Sequence, residues 1–126
     1  MEFTESKGIF LQIADSICDK VLEGKLHPGE RVPSVRELAE EVQVNRNTVL
    51  RTYNFLEDMQ IISNKRGIGY FVNTEAVKQV QIIKKEEFFN KELPVIINKI
   101  KLLKLGSNDL EELIKEINKN DNHENQ

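Results

Sequence analysis

Cysteine is almost missing from this sequence: a single thiol, Cys18, excludes an internal disulfide framework. Beside Ile17 on an apolar helix face, Cys18 reads as a small packed side chain rather than a reactive thiol. Tryptophan is absent and there are only two histidines, His27 in a loop and His123 in the polar end, so no metal site is expected. No apolar run approaches the roughly 20 residues that cross a bilayer. The first residues, MEFTESKGIF, place acids where an export signal has bases, so the expected compartment is the cytoplasm. The chain has no G-x-x-x-x-G-K-[ST] phosphate loop, and Gly67-Ile-Gly69 is too short for a dinucleotide fingerprint. No Ser/His/Asp or Cys/His set stands at usable spacing. Neither an enzyme nor a cofactor is expected.

What the chain does contain is an ordinary globular balance, 39% apolar and 31% charged residues over a length of 126. Its net charge of −3 looks wrong for a nucleic-acid binder, so the distribution of charge matters more than the sum. Residues 25–72 hold seven basic against six acidic side chains, and residues 75–104 seven lysines against four glutamates. Both ends are acidic. The middle is mildly basic, which permits DNA binding without arguing for it.

Along the chain, Ile9, Ile13, Ile17 and Val21 recur four apart, with Phe10, Ala14, Cys18 and Leu22 beside them, an amphipathic helix over 9–23 that Gly24 terminates. Pro28-Gly29 demands a turn, and Arg31-Val32 fits a short strand. Ser34-Val35-Arg36-Glu37 is a capping box that opens a short helix with Val35, Leu38, Ala39 and Val42 inside. Gln43-Val44 must turn the chain, because Asn45 then caps a third helix over about 46–59. Its core face is Val49, Tyr53, Leu56 and Met59. Its other side carries Arg46, Asn47, Leu50, Arg51 and Asn54. SNKRGIGYFVN reads as two strands around a tip at Lys65-Arg66-Gly67. From Glu75 the pattern is helical again, with Val77, Val80, Ile83, Phe88, Leu93, Ile96, Ile97, Ile100 and Leu103 apolar. Pro94 should kink or break this helix near Asn90 to Leu93. Leu105-Gly106 ends it. Ser107 or Asn108 caps a last helix with Leu110, Leu113, Ile114 and Ile117 in one stripe.

The expected fold is therefore mostly α with a small β-hairpin wing. Residues 1–73 form a winged helix-turn-helix, 74–119 a two-helix dimerisation tail, and 120–126 a polar end without periodicity, expected to be disordered. In such a fold the short second helix braces the third, whose first turn enters the major groove. Asn45, Arg46, Asn47 and Thr48 supply that turn, since Arg takes guanine O6 and N7 together and Asn takes adenine N6 and N7. Lys65-Arg66 gives a cationic loop suited to a phosphate or the minor groove. Arg36 should lie near the DNA backbone, although it could instead pair with Glu40 one turn on. Arg51 suits a phosphate, or the neighbourhood of Glu57.

At these residues the sequence resembles the GntR family of bacterial transcription regulators, and within it the short YtrA-like subfamily. The likeness runs through Phe10-Leu-Gln-Ile-Ala-Asp15, Gly29-Glu-Arg-Val-Pro-Ser-Val-Arg-Glu-Leu-Ala39, Val44-Asn-Arg-Asn-Thr-Val49, Tyr53, Leu56-Glu57 and Arg66-Gly-Ile-Gly-Tyr-Phe-Val72. It implies a homodimer on a two-fold-related operator, usually as a repressor, with DNA contacts from Arg36, Arg46, Asn47, Thr48 and the wing tip at Arg66-Gly67. The subfamily further implies control of the chain's own or an adjacent transporter operon. Two positions depart from the family pattern. Gln43 stands where a turn glycine is common, and a left-handed backbone there costs about 1–2 kcal/mol. Leu50 stands where a groove-facing polar or basic residue is common, and it could touch a thymine methyl.

The apolar positions Val80, Phe88, Ile96, Ile100, Leu103, Leu110, Leu113, Ile114 and Ile117 are more than a two-helix tail can bury alone, so a second copy is expected to cover them. The lysines at 78, 84, 85, 91, 99, 101 and 104 read as a solvated face. A small-molecule effector at that interface is left open, as no convergent polar groups mark a pocket. The alternative is a winged-helix module that binds a protein partner instead of DNA; Leu50 favours it, while Arg46, Asn47, Arg51 and Asn54 do not.

Overall fold

The fold is given by a computed structural model that describes residues 8–124. Residues 1–7, on which the reading of the leader rests, and residues 125–126 of the polar end lie outside the described residues. The chain divides into two compact units, the first ending at Lys85 and the second beginning at Glu86.

The first unit holds α1 (Ile9–Leu22), α2 (Val35–Val42), α3 (Arg46–Asp58), the strands β1 (Ile62–Lys65) and β2 (Gly69–Val72), and most of α4 (Ala76–Glu87). The apolar stripe of α1 is buried at Ile13, Ala14, Ile17, Cys18 and Val21. The helix closes as its spacing predicts, with Gly24 at positive φ and the Lys25 amide donating back to Lys20 O at 2.8 Å. Around that stripe gather Leu38, Ala39, Val49, Tyr53, Leu56, Ile61, Ile62 and Val72. The hairpin is antiparallel, Ile62 opposite Val72 and Lys65 opposite Gly69. A third segment lies alongside it: Arg31 bridges Phe71, and the Val32 amide donates to Tyr70 O at 2.9 Å. The short strand expected at Arg31-Val32 is thus one bridge wide.

Three expectations fail at α4. The boundary at residue 73 lies too early, because Ala76 and Val80 are fully buried in the core of the winged unit, with Val77 and Ile83 packed at its edge. Val80 is consequently a core residue of its own chain and has no surface to offer a second copy. The helical period of 77, 80 and 83 was legible, but a stripe does not say what it packs against. Lys84 is not simply solvated either: its Nζ lies 2.8 Å from Asp15 Oδ1 on α1.

The second unit contains a π-helical turn (Phe88–Glu92), α5 (Leu93–Leu102) and α6 (Glu111–Glu124). Pro94 does not break the helix. Its missing N–H leaves Asn90 O without an i→i+4 donor and its ring crowds that carbonyl. The chain answers by widening one turn, the Leu93 amide donating to Phe88 O five residues back. Helix α5 ends before the expected Leu105-Gly106, with Lys104 at φ 53° and the Leu105 amide donating to Ile100 O at 3.0 Å. The last helix starts at Glu111, after hydrogen-bonded turns over 106–110, and continues to Glu124. Residues 120–124, expected to be disordered, are helical, since neither proline nor glycine interrupts them and the preceding turns are reinforced by the Lys119–Glu116 pair.

Candidate nucleic-acid interface

The site is built on two caps. Ser34 Oγ accepts from the Glu37 amide at 3.1 Å, and the Glu37 carboxylate accepts from the Ser34 amide at 3.2 Å. The Ser34 hydroxyl and amide hold the Glu37 carboxyl below its ordinary value of 4.5, with the Arg31 charge adding a smaller push. Helix α2 then ends on Gln43 in the left-handed conformation, φ 55° and ψ 51°, the strained turn that the missing glycine implied. Its amide and that of Val44 both donate to Ala39 O. Asn45 caps α3, its Oδ1 accepting from the Asn47 amide at 2.7 Å. That bond takes one lone pair of the oxygen and leaves the Asn45 side-chain NH2 to donate to a base or phosphate.

The rear of α3 is fixed by burial. Val49, Thr52, Tyr53 and Leu56 are fully buried, and the Tyr53 phenol donates to Pro33 O, fastening α3 to the entry of α2. Burial pushes the Tyr53 phenol well above the usual tyrosine range. Thr52, which periodicity alone did not place in the core, has Oγ1 within 2.9 Å of Thr48 O and 3.1 Å of Phe10 O. This fixes the start of α1 against the middle of α3.

With the rear fixed, Arg46, Asn47, Leu50, Arg51 and Asn54 are exposed on the other side, and Thr48 is half-buried. Leu50 is 42% exposed, an apolar side chain among polar ones. Arg51 does not reach Glu57; its guanidinium carbon stacks 3.8 Å from the centre of the Phe10 ring. Arg36 makes the i,i+4 pair with Glu40, Nε to Oε1 3.4 Å, with both side chains open to solvent. A pair of that kind contributes a few tenths of a kcal/mol and yields readily to a phosphate.

In the wing, Arg66, Gly67 and Ile68 form the exposed tip, Gly67 taking φ 79° in a turn closed by Ile68 N to Lys65 O at 2.8 Å. Lys65 folds back, its Nζ 4.3 Å from the centre of the Phe71 ring. Arg31 joins these cations, although the sequence did not single it out. Its Nε stands 2.9 Å from where a Cβ on Gly69 would be, so the glycine makes room for the guanidinium. A glycine inside a strand was the available signal, but it does not name what comes close. Among the described residues no cluster of His, Cys, Asp and Glu could hold a metal ion.

Residues 10–72, the stretch that holds both caps, α3 and the wing, match the family of bacterial regulatory proteins named gntR. The chain belongs to the GntR family. Among its relatives, the HTH-type transcriptional regulator YhcF of Bacillus subtilis is 44% identical over 75 residues, which are 60% of this chain and 62% of that protein. The HTH-type transcriptional repressor YtrA of Bacillus subtilis is 39% identical over 71 residues, 56% of this chain and 55% of that protein. The chain therefore matches little more than half the length of these two curated relatives. A solved GntR-family protein from Bacteroides thetaiotaomicron is 37% identical and covers 90% of this chain and 99% of its own, with a TM-score of 0.71. The winged helix-turn-helix with its helical second unit is thus a GntR architecture. The family is one of regulatory proteins, in line with the expectation that the chain is not an enzyme. No described helix is long and apolar enough to cross a membrane.

Proposed function

We propose that this chain is a sequence-specific DNA-binding transcription regulator of the cytoplasm, acting as a homodimeric repressor of its own or an adjacent operon. The observation that carries this reading is the division of α3: four residues locked into the core behind, and Arg46, Asn47, Arg51 and Asn54 open in front. Asn45 and Arg46 lie at the end of α3 that enters a major groove in helix-turn-helix proteins. Arg36 and the wing cations Arg31, Lys65 and Arg66 serve the phosphates on either side of that contact.

The second unit supports a dimer. Leu102 and Leu103 are 72% and 67% exposed, and Phe88, Phe89, Ile96, Leu113, Ile114 and Ile117 are also open. Ile100 and Leu110 are half-buried beside them. So much exposed apolar surface marks an interaction site. A second copy would cover it in a two-fold arrangement, matching an operator of two related half-sites. The repressor reading draws on the name of YtrA.

Gel shifts on DNA upstream of the chain's own gene, across a salt series, test this. Arg46→Ala should cost roughly 1–3 kcal/mol on the specific site and less on random duplex. Arg66→Ala should weaken both together and flatten the salt dependence. Equal losses on both duplexes for Arg46→Ala would mean that it reads no base. The exposed Leu50 favours a second reading, a protein-docking face in place of a DNA-reading one. Under that reading Leu50→Ala changes capture of a protein partner, and no duplex is shifted.

A further inference from the structure

Arg51 is held in a way that Arg36 is not. It lies one turn after Asn47, hence on the same stripe of α3. Among the described residues no carboxylate pairs with it, whereas Arg36 has Glu40. Its guanidinium instead stacks on Phe10, from the first turn of α1, at 3.8 Å. Phe10 is itself fixed twice: its carbonyl lies 3.1 Å from Thr52 Oγ1, and its ring meets Phe55 edge-on at 6.0 Å and 78°. An aromatic ring occupies the flat face of a guanidinium and leaves its N–H groups, which lie in the plane, free to donate. Phosphate oxygens are taken by those in-plane donors.

We propose that Phe10 is a positioning residue for DNA binding, holding Arg51 edge-outward for a backbone phosphate and so bringing α1 into the interface. The inference rests on the DNA-binding reading above. Phe10 itself touches no nucleotide; it removes the rotamer freedom that a long cationic side chain loses on binding. The contact is independent of sequence, so its effect is the same on every duplex.

The test is fluorescence anisotropy of the full chain with a mixed-sequence duplex, over a salt series, for Phe10→Leu, Arg51→Ala, the double variant and Phe10→Trp. Arg51→Ala should lower the slope of log K against log salt by about 0.9, the loss of one phosphate contact. Phe10→Leu should weaken binding about two- to fivefold, the factor that corresponds to a cation–π contact at an exposed site. The double variant should be no weaker than Arg51→Ala alone, and Phe10→Trp should retain wild-type affinity. Equal weakening by Phe10→Leu with and without Arg51 would show a packing role only and overturn the proposal, as would an unchanged slope for Arg51→Ala. Where thermal unfolding shows Phe10→Leu to be misfolded, Phe10→Trp decides: an affinity that it alters as much without Arg51 as with it contradicts the proposal. A wild-type chain that binds no duplex overturns the DNA reading and this inference together, whereas additive losses overturn the inference alone.

Discussion

Gln43 shows how a single residue carries strain for the sake of geometry. The turn between α2 and α3 needs a left-handed residue, and Gln43 takes φ 55° there in spite of its Cβ. Gln43→Gly should therefore stabilise the fold, by about 0.5–1 kcal/mol once the added freedom of the unfolded chain is subtracted; urea denaturation measures it, and a lower midpoint would contradict the strain argument. Glu37 gives a pH dependence of known sign. Its carboxyl is depressed in the folded state by the Ser34 hydroxyl and amide, so the stability it contributes is complete above its ordinary value of 4.5 and is lost as pH falls through the folded value. Wild-type stability should then fall more steeply than that of Glu37→Gln between pH 5 and 3, read by urea midpoints at each pH. Both features were legible because caps and turns are written in consecutive residues. Phe10 beneath Arg51 and Gly69 beneath Arg31 were not, since each pair joins residues far apart in the chain and neither residue type alone names its partner.

At the scale of elements, periodicity located the helices of the described residues but not the surface each one meets. Helix α4 is the clear case: Val80 shares a helical period with the exposed positions that follow it, yet it is fully buried in the winged unit. Val80→Ala should cost about 2 kcal/mol of that unit's stability through the cavity it leaves, with self-association unchanged. Ile114→Lys should do the reverse, leaving the winged unit's unfolding unaltered and shifting sedimentation at micromolar concentration from dimer to monomer. A wild-type chain that sediments only as a monomer would remove the dimer from the account. Pro94 teaches a related lesson. Its chemistry required an interruption within one turn upstream, which occurs, but a break and a widened π-turn satisfy the same missing donor. Sequence names the defect and the neighbouring turns choose the remedy. The polar end went the same way: composition suggested disorder, while continuity with an amphipathic helix carries α6 on to Glu124.

For the whole molecule, the acidic sum of −3 conceals a local arrangement in which cations gather on α3 and the wing. A protein with this balance gains little from long-range attraction to DNA, so under the proposed function base contacts at the start of α3 would supply much of its discrimination. The central claim is that this first turn, at Asn45, Arg46 and Asn47, enters duplex DNA while its rear rests on α1 and α2. Selection from a pool of random duplexes by the intact chain, at moderate ionic strength, tests it most directly. The account predicts enrichment of two related half-sites about one helical turn apart, and loss of that enrichment in Arg46→Ala while weak binding to all duplexes persists. A pool that emerges with no sequence preference would contradict it.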